Sequence, residues 1–586
     1  MTTERSQPAR DGHDNKRPDP DDDTHRPWVK NYPPELDFFA QIDTSPITER
    51  VRNACQKYGD KPALDFLGAE TSFKTIWERT EQLCGALQKE LGVKKGSRVA
   101  LLLPNTPYYV FAYYAVLLAG GTVVNCNPLY TVKELSHIVG NAKADIVVTL
   151  DLKMLFEKAE TLVEEGAIET VVVCPFANIL PTLKSILYRL FKSGDVSNPA
   201  KSPIADRVRH FDDLIAANHK AEPAALDVDK DVAVQQYTGG TTGLPKGAML
   251  SHANISANVS QIDMWCVGEY NPRAKIVSII PFFHIFAMTT ILNAGLVNGM
   301  ELIMLPRFDL KDTLALLRRK KPNMLIAVPS LTHRLMTDPM SKKEDLSCLT
   351  FCVSGGAALP KETREAFEKR TGSGRVVEGY GLTECSPVVT CGPVHTEFKP
   401  GSIGMPFPAT DVKFVDLEDP TRQVSIGERG ELLVKGPQLM LGYYENDKAN
   451  AESFVDGWFR TGDVGYVDED GHLFLVDRIK DMIIVNGFNV YPKNIEDALY
   501  HHPDVEECNV VGMSDPEKGE VPVAFVKLAD GARQTEEAMK SFLAEHISRV
   551  EMPRMILFRD ELPKTLIGKL SKKELREELR AELEKD

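Results

Sequence analysis

The chain has 586 residues; at about 150 residues per domain that is roughly four folding units, or two or three larger ones. Hydrophobic residues make up 43% and charged residues 26%, the balance of a globular protein, which excludes disorder throughout. Lys plus Arg is 69 against 84 Asp plus Glu, a net charge of −15, which disfavours a general nucleic-acid binder but not a site for nucleotides. The ten Cys are irregularly spaced and form no CxxC pair, so they read as reduced thiols of a cytoplasmic protein.

Residues 1–30 are charged, Pro-containing and free of any apolar run, which predicts a disordered tail and no secretory signal. Over 44–225 helical patterns such as FKTIWERTEQLCGALQKEL alternate with short apolar runs such as SRVALLL, GTVVNCN, ADIVVTL and ETVVVC. Runs apolar at every position suit parallel strands covered on both faces. The uncharged stretch Val99–Val132 is long enough to span a membrane, but Pro104, Pro107, Gly120 and Gly121 interrupt it, so it reads as a buried strand, a loop and a core helix. In PTLKSILYRLFK, residues 183–191 place Leu183, Ile186, Leu187, Leu190 and Phe191 at helical spacing, with Lys184, Arg189 and Lys192 on or beside the remaining face. That pattern fits a helix packed on the body; it also fits weak peripheral contact with an anionic membrane surface.

AKIVSII, MELIML, NMLIAVP and LTFCVSG resume the βα texture. From about 401 to 478 the chain turns β-rich, with DVKFVD, GELLVKG and HLFLVDR between Gly- and Asp-rich turns. Residues 479–586 read as a small α+β unit. The expected architecture is a multidomain α/β protein: a large N-terminal domain over 31–478, built of parallel-sheet subdomains and a β-rich part, and a small C-terminal domain.

Three motifs carry chemistry. The first is Tyr237 to Gly247, YTGGTTGLPKG, set between the expected strand VAVQQY and an expected helix over AMLSHANISANVSQI. Gly239, Gly240 and Gly243 let backbone N–H groups approach an anion, Thr238, Thr241 and Thr242 add hydroxyls, and Lys246 adds charge, so a polyphosphate is the expected ligand. The spacing is not that of the GxxxxGK[ST] loop. The second is Glu378 to Glu384, EGYGLTE. Tyr380 could stack on a base, Thr383 could bond a phosphate and Glu384 could hold Mg²⁺; alone, Glu384 fits an ordinary loop carboxylate at least as well. The third, DGWFRTGD, ends at Asp463, which suits two ribose hydroxyls or a turn.

Together with DRIKDMIIVNGFNVYP and LPKTLIGK, these motifs stand in the order of the adenylate-forming superfamily of acyl-CoA synthetases. Over about 45–580 the chain resembles the bacterial long-chain fatty-acid–CoA ligases among them. The resemblance implies a mobile C-terminal domain and two half-reactions. Thr238 to Lys246 would wrap the phosphates; Gly355, Gly356 and Ala357 would line the adenine and acyl region; Tyr380, with Gly381 beside it, would lie near adenine. Thr383 would meet phosphate, Glu384 Mg²⁺, and Asp463 with Arg478 the ribose. His284 would stand beside the bound carboxylate, unless it is a satisfied core histidine. Lys569 would bind the carboxylate and α-phosphate during adenylation. Lys480 would mark the hinge, and Gly487, Phe488 and Asn489 the loop brought in for thioester formation.

The implied activity is ATP-dependent conversion of a fatty acid to an acyl-adenylate, then to an acyl-CoA thioester, with ATP, Mg²⁺ and coenzyme A required and a homodimer as the family pattern. Ile262 to Trp265 and Ile279 to Thr290 are candidate pocket walls. Alternatives are a medium-chain or coumarate-like acid as substrate, or a non-catalytic acyl-nucleotide sensor or membrane-associated scaffold.

Overall fold

Strands apolar at every position need cover on both faces, and the molecule supplies it with two large sheets sharing one core. The computed structural model describes residues 26–238, 245–372, 374–396, 399–515, 517–564 and 570–583. The first sheet has eight strands. Its parallel part comprises Arg98–Leu102, Thr122–Asn125, Ile146–Leu150, Thr170–Cys174, Val208–His210 and β1 (Val232–Thr238). β1 pairs antiparallel with β2 (Lys246–Ser251), and Gly442–Tyr443 adds to the β2 edge.

The second sheet has nine strands. Pro62–Phe66, Glu301–Met304, Lys275–Ser278, Met324–Ala327, β3 (Phe351–Gly355) and β4 (Arg375–Gly381) lie side by side and parallel in that order. Antiparallel strands close both its ends. A five-stranded antiparallel sheet over 411–478 includes β5 (Trp458–Val467) and β6 (Leu473–Arg478), with Asp463 opposite Arg478.

Helix α1 (Pro107–Leu118) starts with Pro at its first turn and with the Thr106 side chain accepting from the Tyr109 N–H. All twelve of its residues are buried, so Val99–Val132 is core rather than a span. None of the helices among the described residues is long and apolar enough to cross a membrane. Helix α2 (Thr182–Phe191) is the opposite case: it has no buried residue. The helix is held on the body, as one reading of its pattern expects, but its apolar residues Leu183, Ile186, Leu187, Leu190 and Phe191 are all exposed.

Helix α3 (His252–Trp265) corrects another expectation. Residues 248–251 are not its first turn but belong, with Lys246 and Gly247, to strand β2, registered against β1 from Thr238↔Lys246 to Val232↔Ser251. The helix is delayed by a reciprocal cap: the Ser251 hydroxyl accepts from the Asn254 N–H, and the Asn254 side chain accepts from the Ser251 N–H. The glycine-rich segment therefore joins two strands of a hairpin.

The last sheet has five strands between 483 and 558, with a separate apolar core that includes Ile483, Val510, Val526 and Leu543. Helices α4 (Pro492–Tyr500) and α5 (Lys572–Leu583) are tied by a Lys572–Glu496 ion pair at 3.0 Å. At the other end of the chain, the tail does not run free to residue 30. Pro27–Asn31 form a short helix, Trp28 is buried, and Arg26 pairs with Asp411 at 2.7 Å.

Candidate active site

The carboxyl ends of β1, β3 and β4 open onto a cavity of about 1330 Å³. Its polar lining includes Thr238, Lys246, Thr383, Glu384, Arg478 and Lys480. Its apolar lining includes Ile262, Cys266, Ile280, Val388, Cys391 and Phe407. A space this large exceeds the roughly 300–1,000 Å³ of a single small-ligand pocket.

Thr238 and Lys246 face each other across the β1–β2 hairpin, and the Lys246 ammonium lies 5.1 Å from the centre of the Tyr443 ring. The same Tyr443 donates its hydroxyl to Glu384 Oε1 at 2.7 Å. Burial, then the Glu384 charge, pushes that phenol far above its ordinary range, so it stays a donor. The second Glu384 oxygen has no hydrogen-bond partner among the described residues.

Tyr380, at the end of β4, donates to Asp463 Oδ2 at 2.5 Å, and Arg478 Nε donates to Asp463 Oδ1 at 2.9 Å. Burial and then Asp463 raise the Tyr380 phenol well above its usual value, and the Asp463 charge raises the Arg478 guanidinium. Partial burial, then the Arg478 charge, pulls the Lys480 ammonium below its ordinary value. Gly381 is obligatory beside Tyr380: a Cβ there would stand 2.0 Å from the Pro387 carbonyl oxygen. Gly355 and Gly356 line the cavity, and a Cβ on Gly355 would meet the Phe286 ring at 2.9 Å. His284 also lines it, its Nδ1 accepting from the Phe286 N–H at 3.3 Å.

Several expected residues lie elsewhere. Asp463 is buried behind Tyr380 and Arg478 and is not itself a lining residue. Ala357, Gly487 and Phe488 do not line the cavity either. Asn486 and Gly487, both with positive φ, form the tight two-residue turn between Ile483–Val485 and Phe488–Val490, and Phe488 is 63% exposed there. Trp265 is a core residue, its indole N–H donating to the Gly392 carbonyl at 2.9 Å. Gly239, Gly240, Thr241, Thr242, Gly243 and Lys569 lie outside the described residues.

The cavity also contains residues that motif reading does not reach. Asn125 and Gln236 are polar side chains on the buried strands Thr122–Asn125 and β1. Asn125 Nδ2 donates to Gln236 Oε1 at 2.9 Å, and Gln236 Nε2 donates to the Phe283 carbonyl at 2.9 Å. Tyr109 of α1 donates to Asn125 Oδ1 at 2.8 Å from behind. A buried amide in GTVVNCN or VAVQQY is the sequence signal that marks them.

Two mostly parallel sheets, an antiparallel sheet and a small terminal unit, with a cavity lined by both charged and aliphatic groups, define an α/β enzyme with room for a polyanion and an apolar group. The chain belongs to the AMP-binding enzyme family: the family profile matches residues 51–444, and that of the AMP-binding enzyme C-terminal domain matches 494–569. It is 37% identical over 560 residues to a long-chain-fatty-acid–CoA ligase of Bacillus subtilis (strain 168), covering 95% of this chain and 98% of the relative. A long-chain-fatty-acid–CoA ligase of Salmonella typhimurium is 35% identical, with 95% and 99% covered. Among solved structures, ATP-bound MatB from Rhodopseudomonas palustris matches with a TM-score of 0.79 at 28% identity, covering 91% of this chain and 99% of that one.

Proposed function

We propose that the protein is an AMP-forming acyl-CoA ligase acting on long-chain fatty acids. The observation that carries this reading is the cavity, whose lining combines hydroxyl, lysine and carboxylate groups with aliphatic and aromatic ones. Near-full-length identity of 37% and 35% to relatives named long-chain-fatty-acid–CoA ligase supports the substrate class. An apolar wall gains about 0.8 kcal/mol per buried CH₂, so several methylenes select a long chain without any polar contact.

In the first half-reaction a carboxylate oxygen attacks the ATP α-phosphorus and pyrophosphate leaves. The carboxylate is already an anion, so the chemical problem is repulsion and charge build-up rather than proton removal. Thr238 and Lys246 meet the phosphates, Lys569 bridges carboxylate and α-phosphate, and Gly355, Gly356, Tyr380 and Gly381 bound the nucleotide. His284 stands by the acyl carboxylate. Asp463 and Arg478 take the ribose hydroxyls, which requires Arg478 to share the carboxylate it now holds. An oxygen-seeking Mg²⁺ fits Glu384, whose second oxygen has no partner among the described residues, with Thr383 beside it. When bound, the ion supplies positive charge against the phosphates.

In the second half-reaction the CoA sulfur attacks the acyl carbon and AMP leaves. A thiol of ordinary pKa near 8.5 provides enough thiolate without a dedicated base. A turn of the C-terminal unit about Lys480 would bring Gly487 and Phe488 from their present exposed hairpin towards the thiol's path.

The test is a panel of acids from acetate to oleate, with coumarate, given to purified protein with ATP, Mg²⁺ and CoA, reading AMP, pyrophosphate and acyl-CoA together. Turnover should favour palmitate and oleate. Lys569→Ala should lose adenylation by about a hundredfold or more, while thioester formation from supplied acyl-adenylate falls less. A preference for coumarate would move the substrate class, and no product from any acid by folded, ATP-binding protein would overturn the reading.

A further inference from the structure

Helix α2 is turned the wrong way round for a surface helix. Leu183, Ile186, Leu187, Leu190 and Phe191 recur at the three- and four-residue steps that make one stripe, and that stripe faces water. The five side chains are between 44 and 79% exposed. They make up five of the twelve large exposed apolar residues among those described, gathered on one ten-residue element.

The opposite face holds the helix to the body. Tyr188 packs edge-on against Phe176 with ring centres 5.2 Å apart. Lys184 Nζ donates to the Leu67 carbonyl at 2.7 Å, and Arg189 donates to the Asn178 side chain. The orientation is therefore built by specific contacts and is not the result of an unsatisfied element left loose.

The charges say what the stripe meets. Residues 182–192 carry Lys184, Arg189 and Lys192 and no acidic residue, in a chain whose net charge is −15. Both side-chain types have donors to spare beyond the bonds they make here. Apolar chains flanked by cations match an anionic bilayer surface, where lipid phosphates meet the cations and the acyl boundary takes the stripe. A second copy of the chain is a poorer match. Ten helical residues span about 15 Å, too little for the roughly 800 Å² per partner of a stable dimer. A two-fold contact would also set the three cations against their own copies.

We propose that α2 is a membrane-docking helix that lies in the plane of an anionic lipid surface, with its apolar stripe inserted and Lys184, Arg189 and Lys192 among the phosphates. This goes beyond the ligase reading, and its test contains no ATP, CoA or acid, so either can fail without the other.

The experiment is flotation of the full chain with vesicles of phosphatidylglycerol and phosphatidylcholine in equal parts, and with phosphatidylcholine alone. The protein should float with the anionic vesicles and be released as salt rises. Leu190→Ser with Phe191→Ser should lower the partition coefficient at least about tenfold, since each side chain loses its burial in lipid. Lys192→Glu, whose contact here is with Asp195 at 3.6 Å, should reduce the preference for anionic lipid. Both variants change exposed residues, and an unchanged thermal melt verifies their fold. Equal flotation of the double variant, no flotation of the parent chain, or equal binding to neutral vesicles would overturn the proposal. So would a dimer in sedimentation velocity that the double variant abolishes.

Discussion

Helices α1 and α2 are of similar length and both rich in large apolar side chains, yet one is wholly buried and the other not at all. The difference lies in how their polarity is distributed. In α1 apolar residues and tyrosines occupy every face, so no orientation satisfies it except enclosure. Its hydroxyls are then served individually: Tyr109 reaches Asn125 and the Phe282 carbonyl, and Tyr114 reaches Asn293 Oδ1 at 2.8 Å. In α2 one face is apolar and another carries cations and a tyrosine, and it is the second that finds partners on the body. Hydrophobicity states a demand for cover, and neighbouring polar contacts decide which face receives it.

The contrast can be broken from the α1 side. Val116→Asp places an unpaired carboxylate in a fully enclosed helix and should cost more than about 4 kcal/mol, leaving little soluble, folded protein by circular dichroism. A smaller loss concerns His252, the first residue of α3, which is 1% exposed and has no hydrogen-bond partner on either ring nitrogen among the described residues. Burial pulls its pKa down from 6.5 to about 4. The unfolded chain therefore takes up a proton that the folded one refuses. Stability is full above about pH 6.5 and falls by about 3 kcal/mol on acidification towards pH 4. Urea midpoints across that window should lose this slope in His252→Leu.

Tyr109→Phe sharpens the comparison at single-atom scale, since it removes only the hydroxyl that serves Asn125 and Phe282. A buried acceptor left short costs about 1–2 kcal/mol, readable as a lowered thermal midpoint. At the far end, Leu190→Ser with Phe191→Ser on α2 should change folding stability by no more than about 0.5 kcal/mol per residue, because neither side chain is buried to begin with.

Much of the fold was legible because parallel strands enclosed on both faces leave a nearly continuous apolar signature, as at Arg98–Leu102 and Ile146–Leu150. The error at 248–251 arose because AMLS is acceptable to either helix or strand, and only the Ser251–Asn254 cap marks where the helix begins. In the cavity, Thr238, Lys246, Tyr380, Glu384 and Arg478 stand out locally through glycines and charge, and distant segments bring them together. Asn125 and Gln236 show only as amides in strand sequences and Tyr443 not at all, because all three gain meaning from strands adjacent in space. Periodicity likewise showed that α2 has an apolar face but not which side of it the body would occupy.

The bonds around Asp463 carry a last consequence. Its two acceptors are held by partners of unequal freedom: Tyr380 is half-buried, whereas the Arg478 side chain is 48% exposed two residues before Lys480. Any hydroxyl that competes for this carboxylate will therefore displace the arginine before the tyrosine. Arg478 terminates the strand that leads into the C-terminal unit, so on the proposed reading a ligand that takes this carboxylate would free the residue next to the joint. On that reading Asp463 would act as a clasp between the cavity and the chain's own connection.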